Sequence, residues 1–288
     1  MQRKDWRPGD ALLADRVAIV AGGGRGIGEE TARTLAAAGA EVAVVDIERE
    51  RADGVAAAIR QEGGEAVAVS ADVCAETEAE RVVDATVERF GRLDVVVNVA
   101  GGMNAFVPFK PLTEWSTQEW DAIVSLNLRY HFLMARAAFP RLAAVGGGTI
   151  VNVTSISGVF GSPWHSAYGA AKAGLIQLTK TLALEGGPLG IRVNAVSPGV
   201  VITPATANRM TPDHLQELAG GTPLGRPGAP DDIARAVLYF ASPMSDYVTG
   251  QMLLVDGGVA AKFPFRAPGA PPSMAAGSAD RGHTSSAR

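Results

Sequence analysis

Two side chains four residues apart, Tyr168 and Lys172, offer the clearest chemistry in this sequence. They lie in an Ala- and Leu-rich stretch that predicts a helix, where residues at i and i+4 share one face with Cβ atoms about 5–6 Å apart. At an effective dielectric of about 20, unit charges ~4 Å apart interact by about 4 kcal/mol, so an ammonium group there favours the phenolate. We therefore expect Lys172 to lower the pKa of Tyr168, so that the phenol acts as a general acid or base near neutral pH. Ser155 follows an apolar strand upstream, where its hydroxyl can meet the phenol.

A glycine-rich turn follows the first apolar run, with Gly22, Gly26 and Gly28 in the spacing G-x-x-x-G-x-G. At the start of a helix, such a turn lets free backbone N–H groups approach a pyrophosphate. Asp46 ends the second apolar run, where a carboxylate can hydrogen-bond an adenosine ribose and repel a 2′-phosphate, which favours NAD over NADP. Arg25 opposes this preference, because a guanidinium beside the adenosine can pair with a 2′-phosphate. We weigh Asp46 above Arg25 and expect NAD, with NADP possible.

Short apolar runs alternate with helical patterns along most of the chain. The runs lie at 17–21, 41–46, 65–73, 93–101, 148–154, 191–196 and 251–256, and the longer helices are expected at about 114–126, 127–144, 166–185 and 230–241. Strands that are apolar on both faces and alternate with helices predict an α/β fold with a single doubly wound parallel β-sheet, covered by helices on both faces.

The domain organisation follows from this pattern and from the composition of the ends. We predict an extended lead-in at 1–15, one folded domain at 16–262, and a flexible Pro/Gly/Ala/Ser-rich tail at 263–288. Residues 199–228 are rich in Pro, Thr and Gly and are too long for a plain connection, so they are predicted to form a substrate lid.

The composition argues against several classes of function. The net charge is −4, which gives no electrostatic case for binding nucleic acid or an anionic membrane. Cys74 is the single cysteine, and the four histidines show no pair at zinc-ligand spacing, so we expect neither an intrachain disulfide nor a metal site. The sequence has no secretory signal and no run of eighteen apolar residues, which predicts a cytoplasmic protein.

Taken as an ordered set, these residues resemble the short-chain dehydrogenase/reductase family over about 12–260. The resemblance rests on AGGGRGIG (21–28), Asp46, ADV (71–73), NVAG (98–101), Asn127 in SLNL, Ser155 in VTSISG, YGAAK (168–172), SPGVVIT (197–203) and VDGG (255–258). It implies a Rossmann-type fold and hydride transfer, without metal, between a nicotinamide and a secondary alcohol or ketone. Ala21 stands where relatives usually have Thr, and Val99 where they have a second Asn, so we expect fewer supporting hydrogen bonds there and retained activity.

The resemblance also implies a role for each site residue. Tyr168 would donate and accept the proton, and Lys172 would lower the pKa of Tyr168 and hold the nicotinamide ribose. Ser155 would bind the substrate oxygen. Asn127 would fix a water that relays protons from Lys172 to solvent. The positions that would contact the cofactor are Gly22, Gly24, Arg25, Gly26, Ile27, Gly28, Asp46, Ile47, Asp72, Val73, Asn98, Ala100, Gly101, Tyr168, Lys172, Pro198, Gly199, Val201 and Thr203. Thr203 would hold the nicotinamide carboxamide.

The substrate is expected to lie against residues 102–109, residues 157–165 and the lid. The candidate lining residues are Met103, Asn104, Phe106, Ser157, Val159, Phe160, Trp164, His165 and Met210. They predict a mostly apolar pocket for a secondary alcohol or ketone with a carbocyclic or aliphatic body. His165 is interpreted as a surface-loop residue in preference to a ligand for a polar substrate group.

Two alternative functions and one assembly are also consistent with the sequence. The first alternative is an NADPH-dependent 3-oxoacyl-thioester (acyl-carrier-protein) reductase. Arg25 is compatible with NADPH, and Arg129 and Arg136 would form a small basic patch for docking the acidic carrier protein. A non-catalytic nucleotide-binding regulatory protein is disfavoured by the presence of Ser155, Tyr168 and Lys172. Leucines on more than one face of the Tyr168 helix, together with the habit of the family, predict a homotetramer.

Overall fold

A computed structural model describes residues 12–102, 109–207 and 210–261. Within these ranges seven parallel strands form one sheet in the order β3-β2-β1-β4-β5-β6-β7. The strands are β1 (Val17–Ala21), β2 (Glu41–Asp46), β3 (Glu65–Ser70), β4 (Val95–Asn98), β5 (Gly148–Val153), β6 (Ile191–Pro198) and β7 (Met252–Val255). The predicted doubly wound parallel sheet is confirmed.

Helices cover both faces of this sheet. One layer consists of α1 (Gly26–Ala37), α2 (Arg49–Gln61) and α9 (Pro230–Ala241), and the other of α3 (Glu76–Phe90), α5 (Tyr130–Ala144) and α6 (Ser166–Gly186). The described chain also contains α4 (Thr117–Val124), α7 (Pro204–Ala207) and α8 (Pro212–Gly221). Both α7 and α8 fall in the stretch 199–228 for which a lid is predicted.

The central strands β1, β2 and β4 are mostly hydrophobic because they are packed from both sides. Successive side chains of a strand point to opposite faces, and the buried residues divide accordingly. Val42 and Val44 pack in the layer of α1, α2 and α9, whereas Ala43 and Val45 pack in the layer of α3, α5 and α6.

The strand order reverses between β1 and β4, so the loops that follow these two strands leave in opposite directions and open a crevice at the carboxyl edge of the sheet. The pairing of Ala21 with Asn98 places the glycine-rich turn directly beside residues 99–101. The amide of Ala100 donates to the carbonyl of Ala21 at 2.9 Å, which fixes this proximity. The crevice is where the predicted site residues gather.

The structure differs from the sequence expectations in some segments. In the expected lead-in, residues 12–15 form a turn, and Leu13 is buried with its amide bonded to the Ala38 carbonyl at 2.9 Å. The third and fourth strands end at Ser70 and Asn98, earlier than the apolar runs suggest. The expected tail at 263–288 lies outside the described residues.

Candidate active site

Helix α6 presents Tyr168 and Lys172 on one buried face, as their spacing predicts. Tyr168 is 7% exposed and Lys172 is 2% exposed. The Lys172 ammonium nitrogen lies 5.8 Å from the centre of the Tyr168 ring and donates a 2.9 Å hydrogen bond to the carbonyl of Val153, the last residue of β5. The end of β5 therefore fixes the lysine next to the phenol.

Burial reverses the electrostatics that we expected of this pair. Desolvation raises the pKa of Tyr168 above its usual 10.0, and the hydrogen bond of Ser155 opposes this only in part. Desolvation also lowers the pKa of Lys172 from 10.5 to about 7. A lysine that is already neutral when the phenol ionises does not stabilise the phenolate. The expectation that Lys172 by itself lowers the pKa of Tyr168 is therefore wrong for this structure.

Ser155 lies just beyond β5, within hydrogen-bonding reach of the Tyr168 phenol. Its backbone is extended and its Oγ accepts a 3.1 Å hydrogen bond from the amide of Ser157. This bond occupies an acceptor site of the serine oxygen and leaves its O–H free to donate. The two hydroxyl groups thus converge on a common point at the carboxyl edge of the sheet.

Asn127 lies in a π-helical turn, Ser125–Arg129, that joins α4 to α5. Its Oδ1 accepts from the amide of Gly102 at 3.0 Å, and its Nδ2 donates to the carbonyl of Ile123 at 3.0 Å. A Cβ on Gly101 would lie 2.8 Å from Asn127 Oδ1 and 3.5 Å from Lys172 Nζ, so both side chains approach this glycine. Asn127 therefore holds the loop after β4 against Lys172, and its part in a water relay stays a prediction.

The glycine-rich turn is shaped to admit a phosphate group. A Cβ on Gly28 would lie 1.8 Å from the Gly22 carbonyl, and a Cβ on Gly22 would lie 2.5 Å from the Ala100 amide, so neither position tolerates a side chain. Arg25, the residue that precedes α1, provides no side-chain cap. The first N–H groups of α1 therefore face the crevice without a side-chain acceptor, which suits a pyrophosphate.

Asp46 lies at the end of β2, directly beside this turn. Its Oδ2 accepts from the Gly24 amide at 3.1 Å and its Oδ1 from the Glu48 amide at 3.0 Å, so its position is fixed. The guanidinium of Arg51 lies 4.0 Å from Asp46 Oδ1. Sequence analysis missed Arg51, because only the folded chain places the first turn of α2 against Asp46. Arg25 is exposed at the mouth of the turn.

The remaining cofactor candidates line the same edge, with different degrees of access. Ile47 and Asp72 are exposed, Val73 is buried, and Ile27 is partly buried. Asn98 is fully buried and donates to Asn152 at 3.0 Å, so its side chain serves the interior of the sheet.

Residues after β6 bring the root of the predicted lid to the glycine-rich turn. A Cβ on Gly26 would meet Thr203 at 3.4 Å, and the Thr203 amide is held by Thr206 Oγ1 at 2.8 Å. Pro198 ends β6, and a Cβ on Gly199 would lie 2.9 Å from Asp256. Val201 is buried and pairs with Gly228.

The substrate candidates fall into three groups. Met103, Asn104 and Phe106 lie outside the described residues. Val159, Phe160 and Trp164 are exposed, whereas Ser157 and Met210 are partly buried. His165 is fully buried, so its interpretation as a surface-loop residue is wrong. The backbone turns at Trp164, which has a positive φ of 62°, and directs the next side chain inward.

His131, one turn after Asn127 in α5, is a second buried histidine that sequence analysis did not single out. Its ring lies 3.9 Å from that of Tyr130, whose hydroxyl donates to the Ala100 carbonyl at 2.8 Å. Desolvation, with a smaller contribution from Lys172, lowers its pKa well below 6.5, so the imidazole is neutral. Nothing in the local sequence distinguishes it from a surface residue.

Over the described ranges, no cluster of three or more His, Cys, Asp or Glu side chains is arranged to hold a metal ion. In the same part of the chain, none of the helices combines the length and hydrophobicity needed to cross a membrane.

Comparison with known proteins identifies the family. A family model described as "Enoyl-(Acyl carrier protein) reductase" matches residues 21–260. The chain is 39% identical to a 3-oxoacyl-[acyl-carrier-protein] reductase of Synechocystis sp. over 86% of this chain and 98% of that protein. It is 40% identical to cis-4-hydroxycyclohexanecarboxylate dehydrogenase of Sinomonas cyclohexanicum, also over 86% and 98% of the two chains. It is 38% identical to cyclopentanol dehydrogenase of Comamonas testosteroni, again over 86% and 98%.

The fold is also similar to that of solved structures. A 7α-hydroxysteroid dehydrogenase complexed with NADH and 7-oxo glycochenodeoxycholic acid superposes with a TM-score of 0.83 at 34% identity, over 88% of this chain and 97% of that chain. The chain therefore belongs to the short-chain dehydrogenase/reductase family and is an oxidoreductase, as its sequence predicts.

Proposed function

We propose that the protein is an NAD(H)-dependent dehydrogenase that transfers hydride between the nicotinamide and a secondary alcohol or ketone with a carbocyclic body. The observation that carries this proposal is the convergence of the Ser155 and Tyr168 hydroxyls beside Lys172, at the same sheet edge as the glycine-rich turn. Oxidation of a carbinol needs a base on its oxygen as the hydride leaves. A regulatory protein without chemistry would have no use for this arrangement.

The crevice fits a dinucleotide. The side-chain-free turn and the uncapped start of α1 suit the pyrophosphate, and the fixed Asp46 carboxylate suits an unphosphorylated adenosine ribose. When bound, oxidised nicotinamide supplies the hydride acceptor and a positive charge that favours the phenolate. Arg51, beside Asp46, and Arg25, in the glycine-rich turn, keep NADP as a second candidate cofactor.

The side chains of the chain itself account for the proton transfer. Ser155 donates to the substrate oxygen and holds it against Tyr168, whose phenolate form, which a bound oxidised nicotinamide would favour, takes up the hydroxyl proton. Because burial lowers the pKa of Lys172 to about 7, this amine can bind and release a proton at physiological pH. Asn127 keeps the loop after β4 in place against the amine, so the geometry of the pair is retained between turnovers.

The substrate preference follows from the apolar rim of the site. Val159, Phe160 and Trp164 follow Ser155 in the chain and expose hydrophobic side chains, which we propose form one patch that binds an apolar body. Two of the similar dehydrogenases are named for alcohols of saturated carbon rings. The stretch 199–228 is proposed to close over this patch.

A 3-oxoacyl-thioester reductase is the second candidate, because the Synechocystis relative carries that name. An acidic carrier protein would need a basic patch to dock. However, Arg136 is engaged by Glu76 and Glu80, and Arg129 donates to the Cys74 carbonyl. The carboxylates of Glu76 and Glu80 offset the positive charge of this patch, which favours the small-alcohol function.

The assembly is proposed to be a homotetramer. Leu184 on α6 is 81% exposed, and Leu253 on the edge strand β7 is also exposed, so both the helix and the sheet edge offer apolar surface to a second copy. Light scattering of the purified protein tests this proposal, and a monomeric mass would refute it.

A substrate panel tests the proposed function. Nicotinamide reduction would be followed by absorbance with cyclopentanol, cyclohexanol and linear secondary alcohols, using NAD and NADP separately, and 3-oxoacyl and enoyl thioesters would be tested with the reduced cofactors. We expect the highest kcat/KM with a cyclic alcohol and NAD. Activity confined to thioesters with NADPH would establish the second candidate, and inactivity with every substrate despite NAD binding would indicate a regulatory protein.

A further inference from the structure

The loop that follows β4, residues 99–102, approaches both the glycine-rich turn and Lys172. A Cβ on Gly22 would lie 2.5 Å from the Ala100 amide, and a Cβ on Gly101 would lie 3.5 Å from Lys172 Nζ. Gly101 has a φ of 147° and the glycine after it a φ of 155°, conformations that glycine adopts without strain. Because two successive glycines restrict the backbone so little, other groups must hold this loop in place.

Three of the four amides in the loop have an acceptor in the protein. The two amides of residues 99–100 both donate to the carbonyl of Ala21 at 2.9 Å, which ties the loop to β1. The Gly102 amide donates to Asn127 Oδ1 at 3.0 Å. The Gly101 amide is the exception, because it has no acceptor among the described residues and Gly101 is exposed. This N–H is therefore accessible to solvent or to a ligand.

Tyr130, at the start of α5, holds the carbonyl side of the same segment. Its side chain is 0% exposed, and its hydroxyl donates to the Ala100 carbonyl at 2.8 Å. Desolvation raises the pKa of this phenol well above its usual 10.0, so the group stays protonated and remains a donor at physiological pH. Its ring lies 3.9 Å from the ring of His131, and this contact limits its movement.

The planarity of the peptide bond links the Tyr130 hydrogen bond to the accessible amide. In a trans peptide the C=O and N–H bonds point in opposite directions. The peptide between Ala100 and Gly101 is trans, and its carbonyl points inward to Tyr130. The Gly101 N–H therefore points away from Tyr130, on the exposed side of the loop. Turning this peptide would break the hydrogen bond of its carbonyl.

We infer that Tyr130 is a positioning residue for the cofactor, because its hydroxyl fixes the peptide between Ala100 and Gly101 so that the Gly101 amide donates a hydrogen bond to the bound dinucleotide. The inference rests on the proposed function and deepens it. A dinucleotide presents a charged pyrophosphate and ribose hydroxyl groups, all of which accept hydrogen bonds. A donor that is fixed in advance binds such an acceptor without the cost of ordering the loop.

Two replacements at position 130 test this role. Tyr130→Phe keeps the ring and removes the hydroxyl, whereas 4-aminophenylalanine at the same position keeps a hydrogen-bond donor. Quenching of protein fluorescence gives the dissociation constants for NAD and NADP separately from turnover. We expect Tyr130→Phe to raise the dissociation constant of the preferred cofactor by about three- to tenfold, the scale of one net hydrogen bond. The 4-aminophenylalanine variant should restore this constant to within about twofold of wild type.

Thr86→Val is the matched control for a loss of stability. It also removes a fully buried hydroxyl that donates to a carbonyl at 2.8 Å, here within α3. We expect this variant to bind the cofactor with wild-type affinity. A second readout is the KM for the alcohol at saturating cofactor, which should change by less than about twofold in Tyr130→Phe, because the inferred contact is with the cofactor alone.

Hydrogen exchange of the wild-type protein gives a measurement that needs no variant. In the cofactor-free protein the Gly101 amide should exchange faster than the other amides of residues 99–102, because it is exposed and has no acceptor among the described residues. Saturation with the preferred cofactor should slow the exchange of this amide by at least about tenfold.

The outcomes separate this inference from the proposed function. Cofactor binding without oxidation of any alcohol would refute the proposed function, and the dissociation constants would still decide the role of Tyr130. Wild-type affinity in a folded Tyr130→Phe protein, an equal loss of affinity in Thr86→Val, or exchange at Gly101 that the cofactor does not slow would overturn only that role. A wild-type protein that binds neither cofactor would refute both. If Tyr130→Phe does not fold, as judged by thermal unfolding, the exchange measurement alone decides.

Discussion

Replacing Lys172 with methionine is expected to stabilise the protein while abolishing its activity. Burial lowers the pKa of this amine from 10.5 to about 7. Each pH unit between the two values is worth about 1.4 kcal/mol, so the gap of roughly 3.5 units destabilises the folded state by about 4 kcal/mol at pH 7. Methionine fills a similar volume without a charge. It leaves the Val153 carbonyl without its donor, which costs about 1–3 kcal/mol, so the expected net gain is about 1–3 kcal/mol.

The pH dependence distinguishes this cause from a general packing effect. Between pH 7 and 10.5 the unfolded chain retains a proton on Lys172 that the folded chain has released, so wild-type stability rises with pH by about 1.4 kcal/mol per unit. The methionine variant lacks this dependence. The difference in the free energy of unfolding between the methionine variant and wild type should therefore be largest and constant below about pH 7. Above pH 7 this difference should shrink steadily.

Urea unfolding of the cofactor-free protein from about pH 6 to about pH 9, at one protein concentration, measures this difference. Lys180→Met is the matched control, because Lys180 is exposed on the same helix. That variant should stay within about 0.5 kcal/mol of wild type at every pH and retain activity. A Lys172→Met protein that is less stable than wild type, or whose stability difference does not change with pH, would refute the account of a buried neutral amine.

Three other substitutions test the cofactor end and the support of the site. Asp46→Ala should narrow the kcat/KM preference for NAD over NADP by about tenfold or more, because it leaves Arg51 unpaired beside the ribose site. An unchanged ratio of the two kcat/KM values would mean that Asp46 does not select the cofactor. Gly28→Ala should abolish NAD binding, because the added Cβ would lie 1.8 Å from the Gly22 carbonyl. Quenching of protein fluorescence measures the affinity, and wild-type affinity for NAD would contradict the proposed role of the glycine-rich turn. Asn127→Ala should lower the free energy of unfolding by about 2–3 kcal/mol and should also reduce kcat. A loss of less than about 0.5 kcal/mol in the free energy of unfolding would show that the hydrogen bonds of Asn127 to Gly102 and Ile123 are dispensable.

The fold and the grouping of the site were largely predictable from the sequence, because both depend on local patterns. The run 17–21 is apolar at every position, and the run 41–46 is apolar at its four central positions, as strands covered on both faces must be. The glycine-rich turn, Asp46 and Ser155 all follow such runs, so a parallel sheet gathers them at one edge. The four-residue spacing of Tyr168 and Lys172 then sets their common helix face.

The features that escaped prediction depend on contacts between distant segments. The burial of His165 requires Phe109 and Trp115 from another part of the chain, together with the positive φ of Trp164. The π-helical turn around Asn127 lies in a stretch whose pattern predicts two ordinary helices meeting there. The low pKa of Lys172 arises from the depth of its burial, which spacing along a helix does not reveal.

The most direct test of the central claim is the turnover of Tyr168→Phe with a cyclic alcohol and NAD, measured beside NAD affinity. The claim is that the Tyr168 phenol exchanges the substrate proton, and phenylalanine removes only that hydroxyl. We expect kcat to fall by at least about 10²-fold, the usual scale for a positioned acid–base group, while NAD binds as in the wild type. Near-wild-type turnover in this variant would contradict the claim.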